Sequence, residues 1–278
     1  MSRLTWLPSR ARRASLLATV AALLIGSTLA SSSALAKQAP KPTVVLVHGA
    51  FADASGWSDV IDRLERQGYP VIAPANPLRG VTADTAYMRA FLATIDGPIV
   101  LVGHSYGGMV ITNAATGNPN VKALVYVAAF APDEGDSVSS LGQLGTGGML
   151  GPETLDLRPY PAPAGAPPLE GYIKLNVFRD IFAADLSRKQ ARTMALSQRP
   201  ATLSTLGEPS GPPAWKTIPS WYLVPTRDHA IGTDVLLAMA KRIHPRKIVE
   251  VKGASHVVMI SRPKITTKLI VTAARSVR

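Results

Sequence analysis

From Thr43 onward, short apolar runs alternate with longer segments in which apolar side chains recur every three or four positions. The short runs are rich in Val, Ile and Leu and indicate buried strands, whereas the longer segments indicate amphipathic helices. Strands are expected at Thr43–Val47, Pro70–Ala73, Ile99–Val102, Ala123–Ala128, Ser220–Val224 and Lys247–Val251. Helices are expected near Gly56–Gln67, Ala83–Thr94, Tyr106–Thr116, Thr233–Ile243 and Lys264–Ser276. This alternation predicts an α/β fold in which helices flank a mostly parallel sheet of about six strands.

The alternation stops between about Pro132 and Pro219. The first half of this segment is rich in Gly and Pro, and the second half has helical patterns at Asn176–Phe182 and Ser187–Ser197. A connection of this length is far longer than an ordinary loop, so we predict a lid or cap insertion, about residues 132–219, within the same domain. Whether its Gly/Pro-rich half is well ordered stays open.

Residues 1–36 have the pattern of an export signal. A basic front is followed by the apolar run Ala14–Ala30 and by small residues at Ala34–Ala36 that suit cleavage. We therefore predict a signal peptide at 1–36, an α/β domain at 37–278 and an exported, periplasmic or secreted protein; an uncleaved anchor is the alternative. Arg12-Arg13 resembles a twin-arginine signal, but Ser15 replaces the usual aromatic residue, so the export route stays open.

Charge and composition narrow the possible partners. The 278-residue chain carries +12, but four cationic side chains lie in residues 1–36, which have no acidic residue, so the remainder carries +8. These charges are scattered, and we predict no nucleic-acid partner. The chain has no cysteine, which excludes disulfides, zinc–thiolate sites and thiol nucleophiles. It has five histidines and no HExxH pattern, so we expect neither a metal nor a cofactor.

A serine stands among glycines where the third expected strand meets the next helix, in the segment GHSYGG at residues 103–108. A sharp strand-to-helix turn with small neighbours on both sides holds such a serine in strained backbone geometry and exposes its hydroxyl. The helix N-terminus also favours developing negative charge there. The same residues occur in ordinary turns, but the strand–turn–helix context favours Ser105 as a nucleophile.

A serine nucleophile needs a base, and His256 is the best placed histidine. It follows the last expected strand, and loops at the carboxyl ends of strands carry the reacting groups of open α/β sheets. His104 adjoins Ser105 on a sharp turn and is expected to point away from it. His48 ends the first strand and is interpreted as structural, and His244 lies at a surface-like helix end.

Asp228 is the predicted carboxylate that orients this base. It follows the strand Ser220–Val224 in the segment TRDHA and precedes His256, which gives the order nucleophile, acid, base. Two alternatives stay open. In the first, Asp228 forms a loop salt bridge to Arg227 or Arg246. In the second, the orienting carboxylate comes from the group after the fourth strand, Asp133, Glu134 and Asp136.

Acyl transfer also needs hydrogen-bond donors aimed at the oxyanion. The segment HGAF at residues 48–51 follows the first strand, so the backbone N–H of Ala50, or of Phe51, is one candidate. The N–H of Tyr106, directly after the nucleophile, is the other. An apolar acyl pocket is expected from side chains in and beside the insertion: Phe51, Phe130, Leu141, Leu144, Phe178 and Phe182.

Four segments, VVLVHGAF, GHSYGGMV, AWKTIPSWYLVPTRDHAI and VKGASHVVMISRP, resemble the α/β-hydrolase superfamily in order and spacing. The resemblance covers Thr43–Arg278. It is closest to the small six-stranded branch that holds plant methylesterases, hydroxynitrile lyases and bacterial single-domain esterases. It implies an α/β-hydrolase fold with Ser105 as nucleophile, Asp228 as acid and His256 as base. It also implies that the amides of Ala50 and Tyr106 form the oxyanion hole.

Three residues or segments qualify the resemblance. Little chain separates the export signal from Thr43, so the family's first antiparallel hairpin strands are expected to be missing. Hydroxynitrile lyases carry a lysine directly after the catalytic histidine, where this chain has Val257. The nucleophile position holds Ser and not Asp, which argues against haloalkane dehalogenase and epoxide hydrolase chemistry.

The sequence therefore predicts a cofactor-free serine hydrolase that cleaves small to medium carboxylic esters. Its partner is a small-molecule ester, with no nucleic acid and no stable membrane insertion after signal removal; the oligomeric state stays open. The alternatives are a cofactor-free haloperoxidase or perhydrolase, a hydroxynitrile-lyase-like C–C lyase, and a ligand-binding protein that has lost catalysis.

Overall fold

The computed structural model describes residues 40–277, so the predicted export signal lies outside the described residues. The strands are β1 (Thr43–Val47), β2 (Val71–Ile72), β3 (Ile99–His104), β4 (Val121–Val127), β5 (Leu155–Pro159), β6 (Leu169–Ile173), β7 (Ala201–Thr202), β8 (Ser220–Pro225) and β9 (Lys247–Val251). The α-helices are α1 (Ser58–Glu65), α2 (Val81–Leu92), α3 (Gly107–Ala114), α4 (Val138–Gly142), α5 (Phe178–Phe182), α6 (Arg188–Ser197), α7 (Ser204–Gly207), α8 (Thr233–Arg242), α9 (Val258–Ser261) and α10 (Pro263–Arg275). Short 3₁₀ turns lie at Ala54–Trp57, Pro152–Thr154 and Ala214–Lys216.

The six strands expected from the apolar runs form one sheet in the order β2-β1-β3-β4-β8-β9, with every neighbouring pair parallel. All six residues of β3 are buried. A central strand of a parallel sheet is covered on both faces, which explains its uninterrupted apolar sequence. The predicted α/β-hydrolase fold class is confirmed, and within residues 40–277 this sheet contains no antiparallel strand.

Helices cover this sheet by apolar stripes. The helix α10 begins with Pro263, which suits the first helical turn because its missing N–H has no partner there in any case. Its Leu269, Ile270 and Ala273 are buried, and the helix packs over β4 and β8 and against α1. Burying each large aliphatic side chain contributes roughly 1.5–3 kcal/mol, so this stripe anchors the C-terminal helix to the core.

The helix α3 approaches the sheet more closely than a side chain would allow. A Cβ on Gly107 would lie 2.7 Å from the carbonyl oxygen of Val47 at the end of β1, and one on Gly108 would collide with the carbonyl oxygen of Phe130, just after β4. Because β3 leads directly into α3, this close approach fixes the tight turn between them at residues 105 and 106.

The segment between Pro132 and Pro219 contains the helices α4 to α7 and a small antiparallel sheet in the order β5-β6-β7. The sequence patterns indicate α5 and α6, and Ser187 caps α6 in a reciprocal capping box with Gln190. The antiparallel sheet is absent from the sequence-based expectations. Its strands have at most five residues and lie between Gly and Pro clusters that are typical of loops.

The strand order reverses direction between β1 and β3. The chain passes from β1 to its outer neighbour β2 and then returns to β3 on the other side of β1. The loops that leave the carboxyl ends of β1 and β3 therefore diverge, and such a switch point is where open α/β sheets form their binding crevice.

Candidate active site

Ser105 lies at this switch point, directly after β3, in the left-handed region of backbone space with φ of 53°. Its N–H donates to Ala128 O at 3.1 Å, which holds the turn against the end of β4. A Cβ on Gly103 would lie 2.7 Å from Gly107 O, so the turn closes only with glycine at that position. The strained, glycine-flanked turn expected from the sequence is therefore present, and the Ser105 side chain faces a cavity.

Asp228 and His256 form a buried pair after β8 and β9. His256 Nδ1 donates to Asp228 Oδ2 at 2.7 Å, and both side chains are fully buried. The other carboxylate oxygen accepts the N–H groups of Ala230 at 3.0 Å and Ile231 at 2.9 Å. These bonds fix the carboxylate and keep the proton of the imidazole on Nδ1, which leaves Nε2 as the basic nitrogen.

The alternative carboxylates make other contacts. Asp133 pairs with Lys216 at 2.5 Å, and this hydrogen bond lowers the pKa of Asp133. Asp136 pairs with Arg242 at 2.8 Å. Asp228 has no ion pair to Arg227 or Arg246 among the described residues, so its partner is the imidazole of His256 and not a surface cation.

His104 connects the serine turn to the histidine loop. Its Nε2–H donates to the backbone carbonyl of His256 at 3.1 Å, and the two rings lie 4.7 Å apart. His104 is packed edge-on against Trp57 and Phe182 below the turn, and complete burial holds its pKa well below the ordinary value. His104 thus holds the two loops together, and it is not among the residues that line the cavity beside Ser105.

Ser105 and His256 lie on these two joined loops, but no hydrogen bond links Ser105 Oγ to His256 Nε2 in residues 40–277. The Nε2 atom is buried and has no partner among the described atoms. Nucleophile–base contacts are often long or misaligned without substrate and shorten in the reacting complex. Asp228 and His256 are therefore in direct contact. Ser105 is connected to them through its neighbour His104, which binds the backbone of His256.

The loop after β1 is fixed by a second buried histidine. His48 Nδ1–H donates to Gly49 O at 2.9 Å, and its Nε2 accepts the Asn76 N–H at 2.9 Å. Burial lowers the pKa of His48, so the neutral form that this pattern needs is favoured. The N–H of Phe51 donates to Arg199 O at 3.1 Å, whereas the N–H of Ala50 has no partner within the described part of the chain. Of the two amides considered for this loop, Ala50 is the one available to a ligand.

Tyr106 is anchored by a buried carboxylate. Its hydroxyl donates to Asp84 Oδ2 at 2.8 Å, and Asp84 also accepts the N–H groups of Arg79 and Gly80. Burial raises the pKa of both Asp84 and Tyr106. The backbone N–H of Tyr106 makes no hydrogen bond in the part of the chain that the structure describes, so it remains available beside Ser105.

The serine opens into a mainly apolar cavity of about 500 Å³ between the sheet and the insertion. Phe51, Phe130 and Phe182 line it together with Ser105 and Tyr106. The insertion contributes further apolar side chains: Val138, Leu150, Leu155, Leu157, Leu203 and Leu206. A cavity of this size and character suits a small or medium organic ligand.

Phe178 requires a correction. The sequence places it in the pocket wall, but it is fully buried in the layer behind Phe182, with ring centroids 5.2 Å apart. Both residues lie on the same side of α5, four positions apart, but only Phe182 borders the cavity. Leu141 is buried and Leu144 is exposed, so neither of these side chains lines the cavity.

Three polar residues of the site were missed at the sequence level: Asn76, Asp84 and Asp185. Asp185, in the loop between α5 and α6, accepts a hydrogen bond from Ser255 Oγ directly before His256. Each lies in a segment that has no recognisable motif, and each acts by a contact between distant loops. The one signal available was the acidic or amide side chain at the edge of an apolar segment, which is common at surfaces as well.

Membrane-spanning helices and metal-binding clusters are both absent from the described residues. No helix between residues 40 and 277 has the length and hydropathy needed to cross a membrane. In the same part of the chain no group of three or more His, Cys, Asp or Glu side chains is arranged to hold a metal ion.

Comparison with known proteins defines the family. A model of the alpha/beta hydrolase family matches residues 44–268, which include the β1 loop, the serine turn and the Asp228–His256 pair. The chain belongs to the alpha/beta hydrolase family. This hydrolase falls in the branch that includes plant methylesterases and hydroxynitrile lyases, as the resemblance of its motifs predicts.

Curated relatives of this hydrolase include an α-hydroxynitrile lyase of Arabidopsis thaliana, 25% identical over 79% of this chain and 92% of the lyase. Methylesterase 8 of the same plant is 23% identical over 84% of this chain and 90% of the methylesterase. A carbendazim hydrolyzing esterase of Nocardioides sp. (strain SG-4G) is 38% identical, but the alignment covers only 35% of this chain and 46% of that esterase.

Solved structures have the same fold. Polyneuridine aldehyde esterase superimposes with a TM-score of 0.72 at 20% identity, over 84% of this hydrolase and 98% of that chain. Tomato methylketone synthase I, complexed with 2-tridecanone, gives 0.71 at 21% identity over 86% and 99%. At these identities the structural likeness establishes the fold alone.

Proposed function

We propose that this protein is a serine hydrolase that cleaves small to medium carboxylic esters through an acyl-enzyme. The observation that carries the proposal is the fully buried Asp228–His256 pair, joined through His104 to a strained serine turn that opens into an apolar cavity. Relatives named esterase and methylesterase support ester hydrolysis in general.

In the proposed first step, His256 Nε2 removes the proton from Ser105 Oγ while that oxygen attacks the ester carbonyl carbon. Asp228 holds the imidazole in the required tautomer and stabilises the imidazolium that forms. The free N–H groups of Ala50 and Tyr106 donate to the carbonyl oxygen as it becomes negative.

In the second half, the imidazolium gives its proton to the departing alcohol oxygen, and the C–O bond of the ester breaks. Water then attacks the acyl-enzyme, with His256 as base, and releases the carboxylic acid and Ser105. The apolar lining of the cavity favours an uncharged acyl or alcohol group over an ionic one.

Val257 is the residue that favours this proposal over the lyase alternative. It is fully buried and apolar, so the position directly after His256 supplies no ammonium to hold a departing cyanide. An ester needs no such cation, since its leaving alcohol takes its proton from His256.

The test is Ser105→Ala on purified protein with p-nitrophenyl acetate and butyrate. We expect kcat/KM to fall by about 10³-fold or more, because the nucleophile and its proton are both removed. The matched control is Ser276→Ala, an exposed serine at the end of α10, which should keep the wild-type rate. Wild-type turnover by Ser105→Ala would refute the proposed function, and so would a folded wild-type protein that a fluorophosphonate probe fails to label.

We further propose that residues 1–36 are removed during export, so that the mature enzyme begins at Lys37. The support is the basic front, the apolar run and the small residues at Ala34 and Ala36. Expressed in a bacterial host, the protein should have the mass of residues 37–278. Ala34→Arg, which places a bulky cation at the cleavage site, should keep the full mass; a wild-type protein that retains Met1–Ala36 would contradict the proposal.

A further inference from the structure

A second cavity lies beside the one that contains Ser105. This outer groove, of about 530 Å³, is bounded by the loop after β1, by α6 and by α9. Its floor is apolar and includes Leu186, Met194, Met259 and Ile260, while Asp53, Asp59 and Lys189 stand among its polar side chains. None of these residues lines the Ser105 cavity.

Phe51 is the one residue, within the described chain, that lines both cavities. Its side chain is nearly buried, at 4% exposure, although it borders open space on two sides. The ring stands edge-on to Phe182 with centroids 6.5 Å apart, and Phe182 lines the Ser105 cavity alone. The two rings thus form the partition at this end of the reaction cavity.

The partition is held in place from two sides. The Phe51 backbone has φ of 59°, a conformation that few side chains adopt readily, and its N–H donates to Arg199 O, two residues after α6 ends. Phe182 packs against the rings of His104 and His256 at 6.3 and 4.8 Å. The backbone of Phe51 and the ring of Phe182 are therefore both fixed by contacts outside the partition.

We propose that Phe51 is a specificity-determining residue that confines the substrate to the Ser105 cavity and so limits the size of the ester. The proposal rests on the proposed function and deepens it. Because Ala50 carries one oxyanion donor, the next ring in the chain stands at the boundary of the reacting carbonyl. A substituent that extends past this ring would enter the outer groove, whose apolar floor suits an alkyl chain but which the ring closes off.

Phe51→Leu and Phe51→Ala test the partition by shortening the side chain in two steps. Leu and Ala, like Phe, have a Cβ that is not branched, so we expect the backbone conformation at position 51 to change little. The measured quantity is the ratio of kcat/KM for p-nitrophenyl octanoate to that for p-nitrophenyl acetate. A ratio cancels any general loss from disturbing the Ala50 amide, because both esters use that donor.

We expect the ratio to rise by about tenfold or more in Phe51→Ala and by less in Phe51→Leu, since several methylene groups gain an apolar site. Met194→Ala is the matched control, because it removes apolar atoms from the groove without opening the partition. Its ratio should equal that of the wild type. An unchanged or lower ratio in Phe51→Ala would overturn the proposal, and so would an equal rise in Met194→Ala.

A binding measurement separates this proposal from the proposed function. In the Ser105→Ala background, the Kd of p-nitrophenyl octanoate should fall when Phe51→Ala is added, whereas the Kd of p-nitrophenyl acetate should not. An unchanged octanoate Kd would refute the role of Phe51 even if the protein is an esterase. A lower octanoate Kd in a protein that hydrolyses no ester would support the partition and refute only the chemistry.

Discussion

At the scale of single residues, the buried pair of the Tyr106 hydroxyl and the Asp84 carboxylate affects the proposed oxyanion donor. Tyr106 presents a free backbone N–H beside Ser105 while its ring is tied by the hydroxyl to Asp84. The carboxylate is fixed in turn by the N–H groups of Arg79 and Gly80. The side chain thereby limits the rotation of the peptide that would face the oxyanion, so Asp84 is a positioning residue under the proposed mechanism.

Tyr106→Phe removes the hydroxyl and keeps the ring. A buried carboxylate loses one donor, so we expect the free energy of unfolding to fall by about 1–3 kcal/mol. We also expect kcat to fall while KM changes little, because the Tyr106 amide would act mainly in the transition state. Urea unfolding and ester kinetics measure the two effects.

Tyr172→Phe is the matched control for that variant. Its hydroxyl donates to Glu170 at 3.2 Å in a partly exposed pair, so we expect a loss of less than about 0.5 kcal/mol and unchanged kinetics. If Tyr106→Phe lost stability but kept its kcat, Asp84 would be a structural residue only.

At the scale of elements, the Gly-rich segment over the cavity is held by one carboxylate and by one backbone bond, from Met149 N–H to His229 O at 2.7 Å. Asp234, in the first turn of α8, accepts the N–H of Thr146 at 2.7 Å and of Gly147 at 3.2 Å. These bonds lower the pKa of Asp234, with the Thr146 bond as the largest cause. The carboxylate therefore favours the docked segment at any pH above the ordinary Asp value, and the contact weakens as the pH falls through the lowered pKa.

Asp234→Ala should loosen this segment, because two backbone N–H groups lose their shared acceptor and, within the described chain, only the Met149–His229 backbone bond remains. We expect faster cleavage within residues 143–150 under limited proteolysis at neutral pH, with little change in the unfolding midpoint. The control Asp156→Ala, at an exposed position of β5, should be cleaved by the protease at the wild-type rate. Equal protection of Asp234→Ala and the wild type would mean that other contacts hold the segment.

Some of these elements could be predicted from sequence patterns and others could not. The inner strands β1, β3, β4 and β8 were predictable because a strand buried on both faces must be almost wholly apolar, which is a local property. The edge strands β2 and β9 are largely exposed, and they were predictable from their β-branched residues. The serine turn was predictable because a turn this tight has room only for glycine at certain positions, and those glycines are visible in the sequence. The antiparallel sheet β5-β6-β7 was not, since its short strands depend on packing over the cavity and not on their own sequence.

The same distinction explains the site. Ser105, Asp228 and His256 follow strands, so strand order and motif spacing point to them together. Asp84 and Asp185 act through contacts between loops that are distant along the chain, which no pattern along the sequence records. The placement of Phe178 was wrong because periodicity gives the face of a helix but not which residues of that face border a cavity.

At the scale of the whole molecule, two buried neutral histidines make the stability depend on pH. Burial is the largest cause of the lowered pKa of both His48 and His104. In the unfolded chain each titrates near the ordinary value of about 6.5, whereas the folded protein resists their protonation. Their contribution is therefore complete above about pH 6.5 and is lost as the pH falls toward the lowered values.

We expect the Tm to be level between pH 7 and 8 and to fall below about pH 6.5. The free energy of unfolding should fall with a limiting slope of about 1.4 kcal/mol per pH unit for each histidine. The reason is that the unfolded state binds one more proton than the folded state at each position. Thermal unfolding in a pH series measures it. His244→Asn changes an exposed histidine and should leave the slope unaltered; a Tm that stays constant down to pH 5 would contradict the assignment.

The hydrogen bond from His104 to the His256 backbone joins positions 152 residues apart. During synthesis the serine turn leaves the ribosome first, and at roughly 5–20 residues per second the histidine follows on the order of ten seconds later. The strand β9, which leads into the histidine loop, is the last strand of the chain and forms an edge of the sheet. Under the proposed mechanism a nascent or prematurely ended chain has a nucleophile without a base. Such a chain is inert toward cellular esters until its final strand has docked.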